Sequence, residues 1–134
     1  MSTDHAVWFI AAGFSIYAMT KACASSLAES LRDELAPFQI RATTVEPGYF
    51  RTSFLNAGVM VNAGKRIEPG DVVKGCKVLV DVLTGTGLAH GKDLPVRVVL
   101  GPDCERVIRD KCSQSLGILD EWKDAIRSTH HDPS

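Results

Sequence analysis

Tyr17 and Lys21 are the residues whose types and spacing most directly offer chemistry. Four positions apart on a helix, they share one face and lie about one turn from each other. A phenol has an unperturbed pKa of about 10 and is a poor acid–base catalyst at neutral pH. A cation held a few ångströms away favours the phenolate and lowers that pKa. Tyr17 could then give a proton to a carbonyl oxygen or take one from an alcohol. The same four-residue pattern also describes an aromatic at a helix start beside a solvated lysine, so the pair on its own specifies little.

The elements that must position this pair follow from periodicity and punctuation. From about Ile16 to Ala36 the pattern is helical, with Met19, Cys23, Leu27, Leu31 and Leu35 repeating every four residues as the expected buried stripe. Pro37 ends the helix by removing a donor and clashing with the preceding turn. Ile40–Glu46 is rich in β-branched residues and reads as a strand stopped by Pro47-Gly48. Residues 47–68 read as a long loop with one short helical turn, and connections of that length usually do something. Pro69-Gly70-Asp71 starts a second helix with Asp71 as N-cap, and Val72, Val73, Cys76, Leu79, Val80 and Leu83 form its apolar stripe. A Gly-rich loop over 84–93 leads to a strand at Leu94–Leu100, with Pro95 near its start. Gly101-Pro102-Asp103 caps a last helix over roughly 103–126, with Ile108, Cys112, Leu119, Trp122 and Ile126 as its buried face. A short strand at Ala6–Ala11 would precede the first helix.

Helix, strand, helix, strand, helix argues for a parallel α/β layer. Two or three strands make a poor sheet alone, because both faces and both edges need cover. The chain therefore reads as the second half of a larger domain. At 134 residues it is one domain or part of one, with 45% hydrophobic and 23% charged residues, which are ordinary globular values. Fifteen Lys and Arg against sixteen Asp and Glu, with no basic run, speak against nucleic acid as a partner. No apolar run approaches the roughly 18 residues of a membrane span, and no positively charged segment precedes Ala6–Ala12 as in a secretory signal. Cys23, Cys76, Cys104 and Cys112 contain no Cys-x-x-Cys pair and read as reduced and mostly buried in a cytoplasmic protein. The four histidines do not cluster, so a metal site has no support. Trp8 and Trp122 read as packing residues and Arg51 as a loop surface residue.

Several ordered segments change the weight of the Tyr–Lys pair. Gly13-Phe14-Ser15-Ile16-Tyr17-Ala18-Met19-Thr20-Lys21 is followed by Leu27-Ala28-Glu29-Ser30-Leu31, by Glu34-Leu35-Ala36-Pro37-Phe38, and by Val45-Glu46-Pro47-Gly48-Tyr49-Phe50-Arg51-Thr52. Pro69-Gly70-Asp71, Leu94-Pro95-Val96-Arg97, Gly101-Pro102-Asp103, Trp122 and Arg127-Ser128-Thr129 continue the series. In this order and at these separations they resemble the C-terminal half of the short-chain dehydrogenase/reductase family over residues 13–131, and the closing segments look most like fungal members. The resemblance implies a truncated domain over 1–134: the helix-strand-helix-strand-helix part of a doubly wound, Rossmann-type parallel sheet, with residues 1–12 divergent and 53–68 the variable substrate loop.

The resemblance also implies roles. Tyr17 matches the family's acid/base, and Lys21 the lysine that lowers its pKa and hydrogen-bonds the nicotinamide ribose. Pro47 and Gly48 match the turn beside the nicotinamide, and Thr52 the threonine that contacts the cofactor near its carboxamide and phosphates. The implied cofactor is NADP or NAD, the implied substrate a small-molecule carbonyl or alcohol, and the first helix, with Ala18, Ala22, Ala24 and Ala28, the implied homodimer contact. The sequence departs from the family where its dinucleotide-binding half would stand: no Gly-rich turn occurs before Gly13. Asp4 stands where a gapless count from Tyr17 puts the family's serine, and an aspartate cannot donate a neutral hydroxyl. Thr84-Gly85-Thr86-Gly87-Leu88-Ala89-His90-Gly91 nearly spells the missing turn, but its flanking pattern is helix before and strand after, the reverse of what a phosphate turn needs. Two readings stay open: an oxidoreductase built on Tyr17 and Lys21, and a non-catalytic remnant that binds a partner or a small molecule.

Overall fold

In the computed structural model, residues 13, 15–51 and 70–130 are described. The first helix, α1, spans Ser15–Leu35. It contains neither proline nor glycine, and its alanines, leucines and glutamates are strong helix formers. Pro37 closes it through a 3-10 turn at Ala36–Phe38, and Gln39 takes the left-handed conformation at φ 59°. Ile40 N–H still bonds Leu35 C=O at 3.3 Å, so the segment after the helix finishes its cap instead of starting a strand. Strand β1 is accordingly shorter than the expected Ile40–Glu46 and runs Thr44–Pro47.

Helix α2 spans Val72–Thr84. Asp71 caps it as expected, its side chain accepting from the N–H groups of Val73 at 2.8 Å and Lys74 at 3.2 Å. Gly85 ends it in the left-handed conformation, φ 68°, which glycine adopts without a Cβ clash. A 3-10 turn at Gly87–Ala89 follows, and β2 runs Arg97–Leu100. The loop at 84–91 thus joins a helix to a strand, as its flanking pattern predicted. β2 is shorter than the expected Leu94–Leu100, because the carbonyls of Leu94 and Pro95 are taken by the side chains of Arg32 and Thr43. Gly101, at φ 102°, turns the chain into α3, Pro102–Glu121, with Pro102 at the first helical position where its missing N–H matters least. The expected single helix divides at Trp122, and α4 covers Lys123–Arg127.

β1 and β2 pair in parallel, Thr44 with Arg97 through Pro47 with Leu100, with α2 on the crossover. Partners in register point to the same face. Thr44, Glu46, Arg97 and Val99 therefore share the face on which α1 packs, and Val98 and Leu100 take the other, with α2 and α3 packed on β2. The apolar core consists of Ala89, Leu94, Val98, Leu100 and Cys104.

Burial of the helices departs from the expected stripes. On α1 the fully buried residue is Ser25, with Ala18, Lys21, Ala28, Leu31, Arg32 and Leu35 half-buried. Met19 and Leu27 are 56% and 59% exposed, and Cys23 is exposed as well. The cause is the polar pinning of α1. Ser25 Oγ donates to Glu46 Oε1 at 3.1 Å, Arg97 binds Glu29, and Arg32 donates to Leu94 C=O at 2.9 Å. These contacts turn the small, polar side of the helix inward and leave the four-residue apolar repeat outside. The expected faces of α2 and α3 are mostly exposed for a related reason: two strands offer too little sheet to cover them. Cys76, Cys112, Leu119, Trp122 and Ile126 all lie exposed, and of the four free cysteines Cys104 alone is buried. Arg51 is exposed, as expected for a loop residue. The expected strand at Ala6–Ala11 and the substrate loop at 53–68 lie outside the described residues.

Candidate active site

Tyr17 stands in the first turn of α1, and Lys21 one turn further along. The Lys21 ammonium lies 5.4 Å from the centroid of the Tyr17 ring, within cation–π range. The helical spacing thus produces the proximity it predicts. Tyr17 is 44% exposed, so an external reactant can reach it, and Lys21 is half-buried against the body of the protein. Thr20 Oγ1 donates back to Tyr17 C=O at 2.7 Å, tightening the turn that carries the phenol.

The second group forms around Pro47 and Gly48. Pro47 is the last residue of β1, and Gly48 N–H donates to Leu100 C=O at 2.6 Å, extending the strand pairing by one bond. Tyr49 N–H donates to Asp103 Oδ2 at 2.7 Å. A Cβ at position 48 would overlap the Asp103 carboxylate, which would have to move aside. Beyond the turn, Phe50 and Gly70 form an isolated bridge, and the Phe50 ring packs over Gly70 and Gly75, where a Cβ would collide with it. Thr52 lies outside the described residues.

The two groups are linked through Glu46. Ser25 is one turn beyond Lys21, so Tyr17, Lys21 and Ser25 follow one another along the same face of α1. Ser25 hydrogen-bonds Glu46, the residue before Pro47, and Arg97 Nη1 donates to the same Glu46 oxygen at 2.9 Å. Glu46 is fully buried, and its second oxygen, Oε2, has no hydrogen-bond partner. Burial works against the Arg97 charge, but the bonds to Glu29 and the charge of Glu46 outweigh it and hold the guanidinium above its ordinary value. Ser25, Glu46, Arg97 and Asp103 were not among the expected site residues. The available signals were an acidic residue inside a β-branched strand and an aspartate directly after Gly-Pro at a helix start.

The donor set fits one end of a nicotinamide dinucleotide. A phenol and an ammonium on one accessible helix face suit a ribose hydroxyl and a carbonyl or alcohol oxygen. Among the described residues, no Gly-rich turn runs from a strand into a helix to receive a pyrophosphate. No group of His, Cys, Asp or Glu among them could hold a metal ion, and no described helix is long and apolar enough to cross a membrane.

A parallel β-α-β unit preceded by a helix is the arrangement of part of a Rossmann-type sheet, and comparison with known proteins agrees with that fold. The short chain dehydrogenase family matches residues 9–60. Over 46 residues the chain is 50% identical to "Oxidoreductase claN" of Passalora fulva, a stretch equal to 34% of this chain and 21% of that protein. The crystal structure of a short-chain dehydrogenase from Streptomyces avermitilis superposes with a TM-score of 0.74 at 28% identity, over 94% of this chain and 49% of that one. Over these stretches the chain is similar to short-chain dehydrogenases, and it spans about half the length of this structural relative.

Proposed function

We propose that the chain carries the proton-transfer part of an NADP- or NAD-dependent oxidoreductase acting on a small-molecule carbonyl or alcohol. The observation that carries this reading is the Lys21 ammonium over the Tyr17 ring on an accessible helix face. The Tyr17 hydroxyl gives its proton to a carbonyl oxygen in reduction and is left as the phenolate, and in oxidation the phenolate takes the alcohol proton and returns to the phenol. Lys21 stabilises negative charge on that oxygen and offers donors to a ribose. By the family resemblance, the turn at Pro47-Gly48 lies beside the nicotinamide and Thr52 contacts the cofactor near its carboxamide and phosphates. When bound, the nicotinamide supplies or accepts the hydride, and the protein supplies position and the proton.

The test is titration of the purified chain with NADPH and NADH, followed by cofactor fluorescence, and then turnover with and without Tyr17→Phe. Saturable binding in the micromolar range is expected, with turnover falling at least about 100-fold in the variant at unchanged melting temperature. Retained turnover in Tyr17→Phe removes the assignment. A folded chain that binds neither cofactor at millimolar concentration supports the non-catalytic reading, in which the family's scaffold binds a partner or a small molecule instead.

A further inference from the structure

Asp103 makes contacts that neither its own helix nor the preceding strand requires. It is the second residue of α3, where an acidic side chain is already favoured by the unpaired N–H groups of the first turn. Yet its Oδ2 accepts the N–H of Tyr49, 54 positions earlier in the chain. The same carboxylate fills the space in which a side chain at position 48 would stand. Two consecutive N–H groups after β1 are thereby held from the β2–α3 side, Gly48 by Leu100 C=O and Tyr49 by Asp103. A hydrogen bond to an ionised acceptor is roughly twice as strong as a neutral one, so this bond is the firmer constraint on where the turn lies.

We propose that Asp103 is a positioning residue: it sets the Pro47–Gly48–Tyr49 turn against which a nicotinamide lies, and its carboxylate occupies the space of a side chain at position 48. This rests on the dehydrogenase reading above and adds a residue that the Tyr–Lys chemistry does not include. Asp103 acts at a distance, through the backbone it holds. Its loss therefore shows in cofactor affinity and in the order of the turn, not in the proton-transfer step.

Four variants of the full chain test this: Asp103→Ala, Asp103→Asn, Gly48→Ala and the double variant Asp103→Ala/Gly48→Ala. NADPH dissociation constants are read by fluorescence, and Tyr49 amide exchange by NMR. Asp103→Ala is expected to raise the NADPH dissociation constant about tenfold and to expose the Tyr49 amide to exchange. Asn keeps an acceptor for the Tyr49 N–H, so Asp103→Asn is expected to recover most of the affinity. Gly48→Ala alone forces the carboxylate aside and weakens binding. In the double variant the overlap is gone, so it binds no worse than Asp103→Ala, a non-additivity expected of residues in contact. A purely structural role would lower melting temperature and leave the affinity of the folded protein unchanged. The proposal is overturned if Asp103→Ala binds NADPH as the wild type does, if the Tyr49 amide exchanges equally in both, or if the two single effects add. Wild-type protein that binds no cofactor overturns the dehydrogenase reading itself, and this proposal with it; wild-type binding with an unaffected Asp103→Ala overturns the positioning role alone.

Discussion

Burial at the start of α3 pushes the Cys104 thiol up from 9.0 to about 11, and the negative charges of Glu46 and Asp103 add to the shift. The native state therefore keeps the proton at a pH where the unfolded chain has lost it. Stability that is fully present below pH 9.0 is lost as the pH rises towards about 11, because the unfolded state then binds fewer protons than the native one. Urea midpoints measured from pH 8 to pH 11 are expected to fall across that window, and Cys104→Ala is expected to flatten the fall. An identical slope in the variant would assign the alkaline loss to other groups. Alkylation gives an independent reading: the exposed Cys23, Cys76 and Cys112 are expected to react well before Cys104. The sequence spoke unevenly at this scale. Tyr17 and Lys21 were legible because their interaction is local, one helical turn, and needs no tertiary knowledge. Cys104 could not be separated from the other cysteines, because its burial depends on two strands and a helix N-terminus meeting. Asp103 was visible only as part of Gly-Pro-Asp, because its partner lies on another element.

The elements are joined by polar contacts that cross between them, and Arg97 is at the centre. From β2 it reaches Glu46 on β1 and Glu29 on α1, and Glu46 in turn holds Ser25. Removing the guanidinium leaves a fully buried carboxylate with the Ser25 hydroxyl as its remaining partner on Oε1. An uncompensated buried charge is strongly destabilising, so Arg97→Met is expected to lose about 3 kcal/mol in urea unfolding. Arg97→Lys is expected to recover only part of this, because a single ammonium lacks the fork that spans two carboxylates. A loss below about 1 kcal/mol for Arg97→Met would mean that Glu46 does not need the arginine to stay buried. The element boundaries show what was legible. Caps and breakers act within a few residues, so Asp71, Pro37 and Gly101-Pro102 marked their helices correctly. Which side of α1 turns inward could not be read from periodicity. The repeat at Met19, Cys23 and Leu27 gives an apolar face, but Ser25, Glu29 and Arg32 find partners 21, 68 and 62 positions away and bring the neighbouring face to the sheet.

At the scale of the whole molecule, the expectation of a part-domain meets a two-stranded sheet with much apolar helix surface in contact with water. Parallel strands are normally covered on both faces, and among the described residues β1 pairs with β2 alone. On α1 the outward side carries Ile16, Met19, Cys23 and Leu27 beside the small, exposed Ala22. That combination lets a second helix approach closely and bury apolar area at roughly 25 cal/mol per Å². On α3 and α4 the exposed Leu119, Trp122 and Ile126 alternate with Asp120, Glu121, Lys123 and Asp124, whose charges would have to be desolvated or matched. Self-association through α1 is therefore the expected behaviour of the isolated chain. Sedimentation at micromolar concentration should show a dimer, and Leu27→Glu should shift it to monomer, since two carboxylates would face each other across an isologous contact. Leu119→Glu is the control and should leave the dimer intact. Dissociation by Leu119→Glu and not by Leu27→Glu would move the interface to α3, and a monomer at high micromolar concentration would remove it altogether. Neither Leu27 nor Leu119 contributes to the Tyr17–Lys21 pair, so cofactor affinity measured on the Leu27→Glu monomer separates two roles for association. Unchanged affinity means that each chain holds its own site, and lost affinity means that the second copy helps to build it.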